Sequence, residues 1–199
     1  MSNDTLELAA LIGSRICHDL ISPIGAIGNG LELLQMGTPP SPEMALMADS
    51  VNNANARIRF FRVAFGKASG GQGVPLGEVQ SILRDMSLSS RIRYEFQSDS
   101  APDRAELRTA FLALLCVEQT LPMGGEIGIR LESTGWAVTG KGPRIRQDEA
   151  LWAHLSDANA TSTELSPGQV QFGLLSGHLR QMGRSADISF TETSAQIAF

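Results

Sequence analysis

The sequence is poor in the residues that most often announce a chemistry. Of 199 residues, two are cysteines and three are histidines. Cys17 and Cys116 sit in apolar stretches with helical patterning. They read as small buried hydrophobes in a reducing compartment, which excludes a disulfide framework or a thiolate zinc site. His18, His154 and His178 fall in separate predicted elements without ligand spacing, so no metal site is expected in this chain. Positive charge is scarce as well: 16 Lys and Arg against 21 Asp and Glu give a net charge of −5. That balance gives no footing for binding nucleic acid or an anionic membrane. No apolar run approaches the roughly 20 residues of a membrane-spanning helix. The start, "MSNDTLELAA", lacks the basic region of a signal peptide. A cytoplasmic location is expected, with no internal repeat or low-complexity tract.

What is present is a long helical pattern in the first third. Thr5 is placed to cap a helix. Ile16, Leu20, Ile24, Ile27, Leu31 and Leu34 fall within roughly 80° of one another on the helical wheel, a stripe that must be buried against another helix. Pro23 lies inside the pattern and is expected to bend the helix near Cys17 to Asp19. The helix should stop at "MGTPPSP", residues 36–42. A second helix then starts at Ser41 and Pro42, with Met44, Met47, Val51, Ala54, Ile58, Phe61 and Phe65 at alternating spacings of three and four. Two long helices joined by a short loop make an antiparallel hairpin. One hairpin has too little core, so a four-helix bundle across a homodimer is expected.

"KASGGQGVP", residues 67–75, reads as a hinge or linker. Beyond it the pattern predicts helices over 78–88, 103–120, 151–155 and 167–182, strands over 91–97, 126–132 and 136–139, and one or two more over 188–199. This is an α+β arrangement with helices on one face of a sheet. The expected division is 1–68 for the hairpin, 69–76 for the linker and 77–199 for the α/β unit.

His18 lies about 160° from Leu20 and about 180° from Ile27 on the wheel, pointing away from the apolar stripe. Leu11, Ser14, Ser22, Gly25 and Asn29 share its side. Mostly small or polar, they leave room for another protein to approach closely. A surface histidine without a role fits the same phase.

"HDLISP", His18 to Pro23, resembles the phosphoacceptor box of histidine kinases and their relatives: histidine, acid, hydrophobe, any residue, a small polar residue, proline. The longer string "ELAALIGSRICHDLISPIGAIGNGLELL" resembles more narrowly the alphaproteobacterial cell-cycle histidine phosphotransferases, the ChpT-like family. The likeness extends over nearly the whole chain and is much stronger before residue 66 than after it. It implies a dimeric phosphorelay intermediate that accepts a phosphoryl group on His18 from the receiver domain of an upstream hybrid histidine kinase. It then passes the group to downstream response regulators of the cell cycle. A neutral imidazole is a good nucleophile near pH 7, and phosphoryl transfer chiefly demands in-line placement and cations near the moving oxygens. The receivers would supply the acidic residues and Mg²⁺, so no cofactor is expected on this chain. Asp19 either orients the imidazole or accepts its proton, or else is ordinary surface charge. Arg15 either offsets phosphate charge or is solvated surface. Ser14, Ser22, Gly25 and Asn29 are the expected docking face.

In the kinases the second domain holds ATP. Here Leu115 or Cys116 stands where the magnesium-binding asparagine belongs, and Gly140 stands where an aspartate reads adenine. The stretch from Gly168 to Gly183 lacks a full glycine-rich lid. The resemblance therefore implies a degenerate ATPase-like domain without a nucleotide site, with Gly140 and Gly142 as turn residues. An ATP-dependent kinase with a divergent site and a non-catalytic dimeric scaffold are the competing readings.

Overall fold

The computed structural model describes residues 3–37, 39, 41–68, 71, 73–156 and 165–199. Parts of the two connections at 36–42 and 67–75 lie outside these residues. The chain is an N-terminal helical hairpin followed by a mixed α/β unit. Helix α1 spans Asn3–Gly37 and α2 spans Pro42–Ala64. α1 begins two residues before Thr5, so the expected cap lies inside the first turn, and the helix runs without interruption through Pro23. α2 starts as its sequence indicates, with Ser41 Oγ accepting from the Met44 amide at 3.2 Å and proline in the first turn.

The expected α1 stripe is split. Leu31 is buried and Ile24 half-buried, but Ile16, Leu20, Ile27 and Leu34 are exposed. The face turned inward instead carries Leu6, Ala10, Gly13, Cys17, Gly28 and Leu31. Glycine is the physical reason for this rotation. A Cβ on Gly13 would stand 2.6 Å from the Phe65 carbonyl oxygen, and one on Gly28 would stand 3.3 Å from Val51. α2 therefore settles into the low-relief side of α1, where the two backbones come closest. Ser14 Oγ fixes the same end by accepting from the Lys67 amide at 2.8 Å.

The α/β unit comprises α3 (Leu76–Leu88), β1 (Ile92–Ser98), α4 (Arg104–Glu118), β2 (Gly125–Glu132), β3 (Gly135–Lys141), α5 (Glu149–Ser156), a 3₁₀ turn (Pro167–Gln169), α6 (Val170–Gln181), β4 (Asp187–Phe190) and β5 (Ser194–Ala198). The strands form one sheet in the order β1-β2-β3-β5-β4. β1 and β2 are parallel, connected through α4 as a parallel pair requires. The remaining pairs are antiparallel. Strict alternation along β1 puts Ile92, Tyr94 and Phe96 against the helix layer and leaves Arg93, Glu95 and Gln97 exposed.

Gly140 is not in a turn. It lies within β3, paired with Ile127, where a Cβ would stand 2.5 Å from Val117 of α4. Its lack of a side chain lets strand and helix approach.

Hairpin and α/β unit share a core. Phe60 of α2, fully buried, stacks on Phe111 of α4 with ring centroids 4.6 Å apart. Ala56, Val63 and Ala64 of α2 join the same cluster. This third face of α2, offset from the Met44-to-Phe65 pattern, anchors the hairpin to the second unit.

Candidate functional site

The exposed face of α1 carries a three-residue polar group. His18 Nδ1 lies 3.1 Å from Asp19 Oδ1, and Arg15 Nε donates to Asp19 Oδ2 at 2.7 Å. Helical geometry explains the second contact, since residues four apart are neighbours on the surface. His18 and Asp19 are adjacent in sequence and meet because the carboxylate swings toward the ring. The imidazole is 84% exposed. With the Nδ1 proton donated to Asp19, Nε2 keeps its lone pair in open solvent, the arrangement a nucleophilic imidazole requires. The Asp19 carboxyl is held below its usual range, first by the hydrogen bond with His18 and then by Arg15. It is therefore an anion at neutral pH. Arg15, expected either to neutralise phosphate or to be idle, is committed to Asp19.

The other expected face residues are distributed unevenly. Ser22 and Asn29 are exposed and Gly25 is half-buried with open space around its Cα, which leaves a flat approach to His18. Ser14 is half-buried and turned to the end of α2.

His154 and His178 are only 8% and 5% exposed. Burial pulls the His178 pKa down to about 4, assisted by the guanidinium of Arg108, whose Nη2 lies 3.0 Å from its Nδ1. It is neutral packing. Cys17 and Cys116 are buried thiols whose pKa values burial raises. Among the described residues, no group of three or more His, Cys, Asp or Glu side chains is arranged to hold a metal. Among them, too, no helix is long and apolar enough to cross a membrane.

On the opposite side of the hairpin from His18 lies a groove of about 810 Å³ that sequence reasoning missed. Ile12, Ile16 and Leu20 of α1 form one wall; Leu115, Val170 and Leu174 of the α/β unit form the other. Arg57 lies 4.0 Å from Glu118 at its polar end. Burial raises the Glu118 pKa, with Arg57 working against the shift. Gln119 and Gln171 both donate to the Gly168 carbonyl and tie the 3₁₀ turn to the wall. No signal in the sequence places residues 16 and 170 together.

A model of the histidine phosphotransferase C-terminal domain matches residues 76–194. The chain is 36% identical over 147 residues to the protein phosphotransferase ChpT of Brucella abortus (strain 2308), spanning 71% of this chain and 70% of that protein. A solved structure of a bacterial phosphotransferase superposes over 100% of this chain and 97% of its own, with a TM-score of 0.71 and 29% identity. A hairpin followed by this mixed α/β unit is thus the architecture of a histidine phosphotransferase, which relays phosphoryl groups in two-component signalling. The chain belongs to the ChpT-like histidine phosphotransferase family.

Proposed function

We propose that His18 is the phosphoacceptor. The observation that carries this reading is the contrast among the three histidines: His18 projects into solvent with Nε2 free, whereas His154 and His178 are buried. Nε2 attacks the phosphorus of a receiver's aspartyl phosphate in line. The P–N bond forms as the bond from phosphorus to the carboxylate oxygen breaks, and the receiver's aspartate leaves as a carboxylate. Positive charge arising on the ring is met by Asp19, which orients the imidazole through Nδ1 and can take its proton. Arg15 holds Asp19 in that position. The second transfer, to a response regulator, reverses these steps. Mg²⁺ on the receiver would supply the cation near the moving oxygens.

Ser22, Gly25 and Asn29 form the docking face for the receiver of an upstream hybrid kinase and for downstream regulators, with Ser14 supporting it from the hairpin's base. Residues 1–68 are the phosphoacceptor and dimerisation part, 69–76 the connection and 77–199 a degenerate ATPase-like unit, the whole working in the cytoplasm. The exposed residues Ile16, Leu20, Ile27 and Leu34 fit a homodimeric four-helix bundle. An acceptor without ATP dependence fits the surroundings of Gly140, where an aspartate would collide with Val117.

The test is transfer of labelled phosphate to wild type and to His18→Ala, either from a phosphorylated receiver domain or from ATP alone. Label from the receiver only, lost in the variant, is expected. Label from ATP alone makes the protein a kinase. No label from any receiver leaves a scaffold.

A further inference from the structure

We infer that Ser14 is a positioning residue for the transfer: through its hydrogen bond with the Lys67 amide, the end of α2 sets the angle at which α1 presents the His18 imidazole. This rests on the reading of His18 as the phosphoacceptor and adds to it a residue that acts through the helix.

Ser14 lies four residues before His18, one turn below it on the same side of α1. It is half-buried, and its Oγ accepts from the Lys67 amide at 2.8 Å. Gly13 beside it keeps the approach close, since a Cβ there would stand 2.6 Å from the Phe65 carbonyl oxygen. Gly66, between Phe65 and Lys67, is buried. A Cβ on it would run into the Arg62 carbonyl oxygen and stand 3.4 Å from Ser14 Oγ. Two glycines and one hydroxyl thus fix where the chain leaving α2 crosses α1. The crossing is also held from the α/β unit, because Arg104 of α4 donates to the Arg62 carbonyl at 3.4 Å.

On the other side of His18 the helix is less constrained. Pro23 has no amide, so the Asp19 carbonyl is without the bond that residue 23 would otherwise give it. α1 is therefore weakened one turn after His18 and pinned one turn before it, and the pinned side determines where the ring points. In-line transfer is sensitive to that direction, since a misplacement of about 1 Å can cost on the order of 10²-fold in rate. Lys67 makes a second tie to α1, Nζ to Glu7 Oε1 at 3.5 Å. Both of those side chains are more than half exposed, and such surface pairs hold little.

Transfer from a phosphorylated receiver domain is measured against receiver concentration in wild type, Ser14→Ala and Glu7→Gln. Ser14→Ala is expected to lower the maximal rate about tenfold and to leave the half-saturating receiver concentration unchanged. Glu7→Gln is expected to change neither. Phosphoramidate, a small phosphoryl donor that needs no docked geometry, should label His18 equally fast in wild type and Ser14→Ala, since the imidazole is open to solvent. A wild-type maximal rate in Ser14→Ala overturns the inference; if the half-saturating concentration alone rises, Ser14 is a docking contact instead. An equal loss in Glu7→Gln, or with phosphoramidate as donor, also overturns it, because the hairpin or the ring itself is then altered. A wild type that takes no label on His18 overturns the acceptor reading and this inference together.

Discussion

The two halves of the molecule treat apolar surface in opposite ways. The α/β unit hides it: among its described residues, only Leu88, Met123 and Val170 are large hydrophobics left exposed. The hairpin leaves out a dozen others, Leu8 to Met47, most of them on α1. Part of it, Ile16, Leu20, Ile27 and Leu34, lines one side of α1, and exposed apolar patches of this kind commonly mark an interaction surface. The same helix exposes His18 on the far side. The hairpin thus presents His18 and most of the exposed large hydrophobics, and the α/β unit anchors it through a shared core.

Four experiments press on that contrast. The largest effect is expected at the joint. Phe60→Ala removes a fully buried ring stacked on Phe111 and should cost about 3–5 kcal/mol. Urea unfolding followed by both circular dichroism and tryptophan fluorescence should still give one transition at a lower midpoint. Two separate transitions in wild type would show halves that do not share a core.

The second effect depends on pH and belongs to the α/β side alone. His178 has a folded pKa of about 4 against an ordinary value of 6.5. Below pH 6.5 the unfolded chain takes up a proton that the folded chain refuses, so stability falls as pH drops from 6.5 to 4. The loss approaches about 3 kcal/mol over that window. Above pH 6.5 His178 contributes no slope. Urea midpoints at pH 7, 6 and 5 should show the decline in wild type and a shallower one in His178→Gln.

Third, Gly140→Ala pushes a methyl group toward Val117 at 2.5 Å and should destabilise by roughly 1–3 kcal/mol. Phosphoryl transfer at a temperature where the variant is folded should not change, because the proposed acceptor His18 is on the other half.

The smallest effect is on rate. Asp19→Asn keeps an acceptor oxygen but loses the charge facing the ring, and single-turnover transfer should slow about tenfold. An unaltered rate across pH 6–8 would make Asp19 surface charge.

Much of this division was legible in the sequence. The order of the elements, the hairpin, and the placement of His18 away from the apolar residues followed from periodicity and from prolines and glycines between the helices. So did Cys17 and Cys116 as packing residues. What was not legible depended on how faces meet. The α1 wheel groups Ile16, Leu20 and Ile27 with Leu31, but Gly13 and Gly28 admit α2 on an adjacent side, and a wheel does not weigh a missing side chain. Phe60 lies outside the heptad pattern of α2, so the bond between hairpin and α/β unit was invisible until Phe111 stood against it. Gly140 read as a turn residue because glycine more often serves a turn than a close strand-to-helix contact. Around His18, Arg15 and Asp19 were legible only with alternatives left open, and the structure joins Arg15 and His18 through the Asp19 carboxylate.

The most direct measurement locates the phosphoryl group. The protein is phosphorylated by a charged receiver domain, digested at neutral to alkaline pH, and mapped by mass spectrometry with fragmentation that preserves P–N bonds. A single acid-labile phosphoryl group on His18, at Nε2, is predicted. A phosphoryl group on His154, His178 or a side chain of the α/β unit would contradict the account.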